Sequence, residues 1–294
     1  MTALRSTAAL AFVLALLFGN ARADLVHGQG LLWRIDGPRD AAPSYLFGTM
    51  HSDDPRVVDL DPAVERAFDE ARRYAFELDF RENIQARMSQ AMFDRQSPTL
   101  REQLGPADWE RARAAATGRG LPEKAVLLMD PWALAITLAV PPVDPAGTLD
   151  RILFDRAVQR RGPVTGLETP DEQIALFDEL PVEDQLDMLR GVLDLHAEDR
   201  IAPLFEELRG AWLDGDLEGL MSISAANPML PDAADNQAFE RRIIDERNER
   251  MAERMQPLVD RGGAFVAVGA LHLPGEDGML RLLEQAGYTV EAVE

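Results

Sequence analysis

Two histidines at opposite ends of the chain follow the same short motif, and each is a candidate metal ligand or acid/base. The runs Ser44–His51 (SYLFGTMH) and Ala264–His272 (AFVAVGALH) each place a histidine three residues after a glycine that ends an apolar stretch. Glycine lets a backbone turn sharply or approach a ligand closely. Each run therefore predicts a buried strand that leads into a loop presenting an imidazole.

Two acidic residues stand at the ends of other strand-like segments. Tyr74–Asp79 alternates apolar and acidic residues at the strand period, which predicts that Glu77 and Asp79 share one face. The segment Pro163–Glu168 is a short strand that ends in an acid. Sites in open α/β sheets form beyond the carboxyl ends of parallel strands, so we expect His51, Glu77, Glu168 and His272 to converge there.

Two imidazoles and two carboxylates are a donor set suited to a divalent transition metal such as manganese, cobalt, zinc or ferrous iron. Such an ion polarises a carbonyl and lowers the pKa of a bound water to about 7, so hydrolysis of an amide or ester is the reaction that fits. Each residue also has a structural interpretation. In that interpretation the histidines are turn residues, and Glu168 is a helix-start acid favoured by the helix dipole. Glu77 faces solvent, and Asp79 is an equally possible candidate for any role assigned to Glu77.

An arginine lies on the apolar stripe of a later helix. In the predicted helix Phe239–Met255, Arg247 comes three residues after Ile244 and four before Met251. A guanidinium on a core-facing stripe needs a partner. Arg247 is therefore either half of a buried ion pair or a clamp for a substrate carboxylate or developing oxyanion, and Asn248 beside it could assist in both cases.

The order of strand-like and helical segments predicts an α/β fold with a mixed sheet assembled from N- and C-terminal strands. The strand–helix–strand order of residues 44–79 suggests a parallel pair, and further strands are expected at 264–269 and 288–293. Residues 81–256 read as a large helical insertion that forms a cap and is interrupted by a strand near 163–168. Residues 24–294 form a single domain in this interpretation.

The N-terminus and the composition indicate an exported protein. Arg5, the apolar run Ala8–Phe18 and Ala21–Arg22–Ala23 read as a cleaved signal peptide over residues 1–23, which predicts a periplasmic or secreted protein. No later stretch is long and apolar enough to predict a membrane span. The chain has no cysteine, so no disulfide supports the fold. A formal net charge of −21 argues against nucleic acid and anionic lipid as partners.

At these residues the sequence resembles the TraB/GumN family, whose relatives include the TIKI metalloproteases. The matching motifs are Leu46–His51, Phe76–Asp79, Gly166–Thr169, Arg247–Asn248, Val268–Gly275 and Gly287–Tyr288. The resemblance implies an α/β fold like that of the erythromycin esterase group. It also implies metal-dependent peptide cleavage, as in the TIKI branch, with His51, Glu77, Glu168 and His272 at the metal and Arg247 in the pocket.

Three functions are compatible with this pattern. The first is an exported metal-dependent hydrolase of the peptidase type that uses manganese, cobalt or zinc and acts on a peptide or small molecule. The second is a metal-independent esterase-like hydrolase in which a histidine is the general base. The third is a protein that binds a peptide or signal without cleaving it. His27 and His196 are expected to be structural or exposed.

Overall fold

A six-stranded mixed sheet forms the centre of the protein. The computed structural model describes residues 25–37, 41–93, 98–227, 230 and 232–293, so the predicted signal peptide lies outside the described residues. The strands lie in the order β4-β3-β5-β2-β1-β6. Their bounds are Leu32–Asp36 (β1), Ser44–Thr49 (β2), Arg73–Phe76 (β3), Val164–Gly166 (β4), Ala264–Gly269 (β5) and Thr289–Ala292 (β6).

The four strands β4, β3, β5 and β2 are parallel, whereas β1 pairs antiparallel with both β2 and β6. This arrangement confirms the predicted α/β class and a mixed sheet built from both ends of the chain. The carboxyl ends of the parallel strands share one edge of the sheet. The four predicted site residues all follow these strand ends, and they are His51 after β2, Glu77 after β3, Glu168 after β4 and His272 after β5.

Two expectations about the strands are wrong. The suggested direct pairing of β2 with β3 does not occur, because β5 lies between them and pairs with both. The alternation over Tyr74–Asp79 is also misleading, since the strand ends at Phe76 and residues 74–78 are all buried. The interior strand β3 is covered on both faces, and Glu77, directly after it, is buried as well.

Helices cover the sheet and occupy most of the segment between β3 and β5. None of the helices in the described part of the chain is long and apolar enough to cross a membrane. The helices are Pro55–Val58 (α1), Pro62–Glu70 (α2), Ile84–Ala91 (α3), Leu100–Gly118 (α4), Glu123–Val126 (α5), Pro131–Ala139 (α6), Leu149–Gln159 (α7), Pro170–Asp178 (α8), Val182–Ala197 (α9), Ile201–Leu213 (α10), Leu217–Ala225 (α11), Ala233–Glu240 (α12), Glu246–Val259 (α13) and Met279–Gln285 (α14).

Local capping fixes the helix that follows β4. The Thr169 hydroxyl accepts from the Glu172 backbone N–H, and the Glu172 carboxylate accepts from the Thr169 backbone N–H. This reciprocal pair satisfies two of the donors that a helix start leaves open. Because α8 begins directly after Glu168, the cap holds that acid at the edge of the sheet.

A segment of π-helix, Arg241–Asp245, joins α12 to α13 directly before Arg247. The predicted regular helix over Phe239–Met255 is therefore interrupted. A π-turn contains an extra residue relative to the α-helix and so changes which side chains face inward after it. In α13 the inward face carries Arg247, Asn248, Met251 and Met255, all of them buried.

Gly48 in β2 allows a close approach of the segment that carries His272. A Cβ added at Gly48 would lie 3.1 Å from Ala270 Cα, Ala270 Cβ and Leu273 Cδ2. We expect Gly48→Ala to lower the free energy of unfolding by about 1–3 kcal/mol, as overpacking does. Urea unfolding checks this value.

Gly118, at the end of α4, is the matched control for Gly48. A Cβ added at Gly118 would meet no atom of the described residues within 4 Å, and its backbone is helical. Gly118→Ala should therefore raise stability by about 0.4–1 kcal/mol. Equal effects at the two glycines would contradict the close packing of β2 against residues 270–273.

Candidate active site

A fully buried arginine lies at the centre of the predicted site. The Arg247 side chain has 0% exposure. Its Nε and Nη2 donate to the Glu168 carboxylate at 2.9 and 2.6 Å, and Nη2 also donates to Glu77 Oε2 at 2.8 Å. Burial opposes the positive charge, but the two carboxylates outweigh it and raise the pKa of Arg247. The guanidinium is thus a permanent cation held between two acids.

The two glutamates differ in what their oxygens contact. Both oxygens of Glu168 accept from Arg247, and Oε1 also lies 3.6 Å from Arg250 Nη2. Glu77 binds Arg247 through Oε2 only. Its Oε1 accepts from the Gly269 backbone N–H at 2.7 Å and lies 3.8 Å from His272 Nε2. Glu168 is therefore the closer partner of the arginine, and Glu77 is the acid that faces a histidine.

His272 is a buried neutral imidazole with a defined orientation. Asn248 Nδ2 donates to the Asp277 carbonyl at 2.8 Å, so Asn248 Oδ1 is the atom that faces the ring. His272 Nδ1 lies 2.7 Å from this oxygen and must donate to it, which leaves Nε2 to accept from Arg247 Nη1 at 2.9 Å. The contacts assign the Nδ1–H tautomer.

His51 is oriented by an acid from the helical insertion. His51 Nδ1 forms a hydrogen bond with Asp150 Oδ2, and Thr49 Oγ1 donates to Asp150 Oδ1 at 2.6 Å. Asp150 lies in the first turn of α7 and is buried. Thr49, at the last position of β2, therefore helps to fix the carboxylate that sets the direction of the imidazole two residues later.

The structure brings His51, Glu77, Glu168, Arg247, Asn248 and His272 into one electrostatic site. The charges of Glu77 and Arg247 act on the pKa of His51, and the charge of His51 acts on the pKa of His272. Residues more than two hundred positions apart thus belong to one largely buried cluster at the carboxyl edge of the sheet. Their roles as ligands or catalysts stay predictions.

The two histidines have opposite pKa shifts. Burial opposes the charge on His51, but the Asp150 carboxylate outweighs burial and raises the pKa of His51. Burial and then the Arg247 cation lower the pKa of His272 well below its ordinary value. Near neutral pH the site therefore contains one imidazole that takes up a proton readily and one that stays neutral.

We expect this difference to appear in a pH titration of the histidine ring signals by NMR. His51 should titrate above the ordinary value of about 6.5, whereas His272 should stay neutral through the range in which the protein is folded. Because its folded pKa is raised, His51 contributes stability that is fully present below pH about 6.5 and is lost as pH rises through the folded pKa. Asp150→Asn should lower the pKa of His51, and titration of wild-type His51 below about 6.5 would contradict the described pair.

Two buried polar side chains of this site, Asp150 and Gln173, are not among the predicted site residues. Gln173 on α8 places its Nε2 at 3.2 Å from Glu77 Oε2 and 3.1 Å from Glu168 Oε2. A signal for it exists, because Gln173 stands with Ile174 and Phe177 on the buried face of its helix. Asp150 gives no such signal, since an acid in the first turn of a helix is expected for the dipole alone.

The other two histidines lie in structural contacts, as expected. His27 Nε2 is 3.1 Å from Glu284 Oε1, and its ring packs edge-on against Trp33. His196 Nε2 contacts the Leu138 carbonyl at 2.9 Å, which joins α9 to α6. Neither histidine contacts the cluster around Arg247 in the described structure.

A surface cavity adjoins the cluster on the side of Arg250. It has a volume of about 720 Å³ and is lined by residues of α8, α12, α13 and the start of α9. Charged side chains of both signs line it, among them Glu172, Glu179, Arg242 and Arg250. A space of this size accommodates a drug-sized ligand. Arg250 connects it to the buried site through its contact with Glu168.

The donor groups provide part of what a metal site needs. Both histidines have an acceptor on Nδ1, which is the outer-shell arrangement that orients metal-ligating imidazoles. The carboxylates, however, are held by Arg247. Within the described residues no three or more His, Asp or Glu side chains are grouped so that they could hold an ion as they stand.

Comparison with known proteins found similarity to a family and to a named protein. The model of the TraB/PrgY/gumN family matches residues 31–292. The chain is 28% identical over 331 residues to Metalloprotease TIKI2 of Danio rerio, an alignment that covers 90% of this chain and 61% of that protein. The chain thus spans about three-fifths of the length of this relative. The comparison with solved structures gave no match.

Proposed function

Because the chain belongs to the TraB/PrgY/gumN family, we propose that it is a metal-dependent hydrolase that cleaves peptides. The observation that carries the proposal is that His272 lies 3.8 Å from Glu77, that His51 is close enough for charge effects between it and both of these residues, and that each ring has an acceptor on Nδ1. The metalloprotease among its relatives supports peptides as the substrate class. The cavity beside Arg250 is the proposed place for the peptide chain.

His51, His272 and Glu77 are the side chains that would hold the ion. Glu168 fits this role less well than the sequence suggests, because both of its oxygens accept from Arg247. His272 would have to release Arg247 Nη1 to offer its Nε2 lone pair to an ion, and Nη1 would keep its bond to the Ile243 carbonyl at 3.2 Å. When bound, such an ion polarises a carbonyl and lowers the pKa of water to about 7.

The other residues of the site would hold the Arg247 cation and the two imidazoles in place. Glu168 holds Arg247 through both oxygens, so the guanidinium remains charged and fixed while a substrate binds. A fixed cation beside the reacting carbonyl stabilises the negative charge that develops on its oxygen. Asn248 and Asp150 hold the two imidazoles in the tautomer that keeps their Nδ1 protons away from the reacting groups.

Elemental analysis and peptide hydrolysis together test this function. Protein purified without chelator should contain about one transition-metal ion per chain. Dialysis against a chelator should abolish cleavage of an unstructured peptide substrate, and manganese, cobalt or zinc should restore it. An absence of cleavage in the metal-free and in every reloaded protein would overturn the proposal.

A second function is supported by the His51–Asp150 pair. A carboxylate on Nδ1 of a histidine with a raised pKa is also the arrangement of a general base in metal-independent hydrolases. In that case the chelated protein would retain full turnover, and Asp150→Asn would lower kcat at every metal concentration. The same dialysis experiment therefore separates the two functions.

We also propose that the protein is exported, on the basis of the charged, apolar and small-residue order of residues 1–23. Expression of the full chain in a bacterial host should yield a periplasmic product that begins at Asp24. Intact mass measurement checks the cleavage position. A cytoplasmic product that retains Met1 through Ala23 would contradict export.

A further inference from the structure

Gln173 on α8 contacts both glutamates of the site. Its side chain is fully buried, and its Nε2 lies 3.2 Å from Glu77 Oε2 and 3.1 Å from Glu168 Oε2. An amide nitrogen carries two hydrogens, so one can donate to each carboxylate. The reversed amide would place Oε1 against two acceptor oxygens, and the contacts therefore assign its orientation.

The same two carboxylate oxygens also accept from the arginine. Arg247 Nη2 lies 2.8 Å from Glu77 Oε2 and 2.6 Å from Glu168 Oε2. The two oxygens are thus bridged twice, once by a charged nitrogen and once by a neutral one. Two carboxylates this close repel each other unless donors lie between them. Gln173 supplies the second donor without adding a charge.

This double bridge determines the direction of the other Glu77 oxygen. With Oε2 fixed by Gln173 and Arg247, and Oε1 accepting from the Gly269 N–H at 2.7 Å, the carboxylate has no freedom to rotate. Glu77 Oε1 consequently stays 3.8 Å from His272 Nε2. These are the two atoms that would meet an ion or a polarised water.

We propose that Gln173 is a positioning residue that holds the Glu77 carboxylate toward His272. The placement of Glu77 follows from contacts within this chain, whereas the effect on turnover rests on the proposed hydrolase function. Loss of the Gln173 bridge leaves Glu77 Oε2 with Arg247 and Oε1 with the Gly269 N–H. The carboxylate then has one donor fewer on Oε2, so it can tilt about the two remaining bonds, and the position of Oε1 relative to His272 changes.

The placement of the Glu77 carboxylate beside His272 is measured by the ring nitrogen signals of His272 in a two-dimensional NMR spectrum. The chain has four histidines, so the signals can be assigned with single histidine variants. In Gln173→Met, which keeps the length of the side chain and removes its donors, the His272 Nε2 signal should shift and broaden. An unchanged His272 signal in folded Gln173→Met overturns the proposal, whatever the activity.

Gln185 provides a matched control on the next helix. It is also fully buried, but its Nε2 donates to the Leu180 carbonyl at 2.9 Å and makes no contact with the described site residues. Gln185→Met removes an equivalent buried amide, and it should affect stability while leaving the His272 signal in place. A shift of that signal in both variants would assign the effect to general loosening and overturn the proposal.

Turnover gives the second readout. With the metal-loaded protein and a peptide substrate, Gln173→Met should lower kcat by about 10–100-fold with a smaller change in KM, as loss of an outer-shell contact does. It should also weaken the binding of Co²⁺, measured by titration calorimetry. Gln185→Met should change neither value. Unchanged kcat and Co²⁺ affinity in Gln173→Met would overturn the functional half of the proposal.

The positioning of Glu77 by Gln173 and the proposed hydrolase function can be rejected separately. A shifted His272 signal in Gln173→Met, together with a wild-type protein that neither binds Co²⁺ nor cleaves peptides, would leave the positioning intact and reject the hydrolase. If Gln173→Met does not fold, Gln173→Asn serves instead, because it keeps the amide and shortens its reach by one methylene. It should show the same shift, and a wild-type His272 signal in it would overturn the proposal.

Discussion

Replacing Arg247 with methionine should lower the free energy of unfolding by about 3–5 kcal/mol. The guanidinium is fully buried and donates to Glu168 and Glu77 at 2.6 and 2.8 Å. Removal of the cation leaves two buried carboxylates facing each other, with the Gln173 amide as their shared donor. Removing one partner of a buried ion pair is costly because the charge of the other partner remains buried and unpaired. Urea unfolding followed by circular dichroism measures the loss.

Arg254, two turns later on α13, is the control for this substitution. It binds Glu172 at 2.6 Å, but its side chain is 41% exposed. Exposed pairs contribute about 0–1 kcal/mol, so Arg254→Met should cost far less than Arg247→Met. Adding Glu168→Gln and Glu77→Gln to Arg247→Met should recover much of the stability, since no unpaired charge then remains. Equal losses for the two arginine variants would contradict the buried cluster.

The sequence identifies the strand ends that carry the site because the signal there is local. An apolar run that meets Gly48 or Gly269, with a histidine three residues later, needs no knowledge of the rest of the chain. The capping box of Thr169 and Glu172 is likewise a local pattern, because its residues lie three positions apart. The order of the strands has no local signal. That β5 enters between β2 and β3 is decided by pairing across the sheet, so the expected direct neighbours are separated.

Periodicity identifies Arg247, and it would have identified Gln173 by the same reasoning. Both are polar residues on the buried face of a helix, and both find partners in the two glutamates. Asp150 differs from them. Its contact with His51 joins positions 99 residues apart, and its place in the first turn of α7 has an ordinary explanation. Such a pair becomes visible only when the helical insertion is placed against the sheet.

The largest functional effect should come from the two histidines. We expect His51→Ala and His272→Ala each to lose the bound ion and to lower kcat by at least about 100-fold, the size that even loss of an outer-shell partner reaches. The reason is geometric, because the two rings follow the adjacent ends of β2 and β5, whereas the other two histidines lie in contacts elsewhere in the described structure. Elemental analysis and peptide hydrolysis on the same preparations measure both quantities.

His196→Ala is the matched control for the histidine variants. Its ring is also partly buried and bonded, to the Leu138 carbonyl at 2.9 Å, but it lies on α9 between helices. This variant should lose some stability and keep both the ion and kcat. Comparison of the three thermal unfolding curves separates loss of the site from loss of the fold. A full equivalent of ion in either site variant would contradict a site shared by the two ends of the chain.

The effects of Asp150→Asn and His51→Ala on ion binding and turnover also decide between the two proposed functions. If His51 is a ligand, Asp150→Asn should weaken ion binding by about 10–100-fold, and added metal should restore part of kcat. If His51 is instead the general base, His51→Ala should abolish turnover. The ion content of His51→Ala should then equal that of the wild-type protein, whether or not the wild-type protein contains an ion. Asp150 then acts on the proton rather than on the ion, and no metal concentration restores the rate. The Asp150 carboxylate on Nδ1 is common to both outcomes, so the response to added metal is the measurement that distinguishes them.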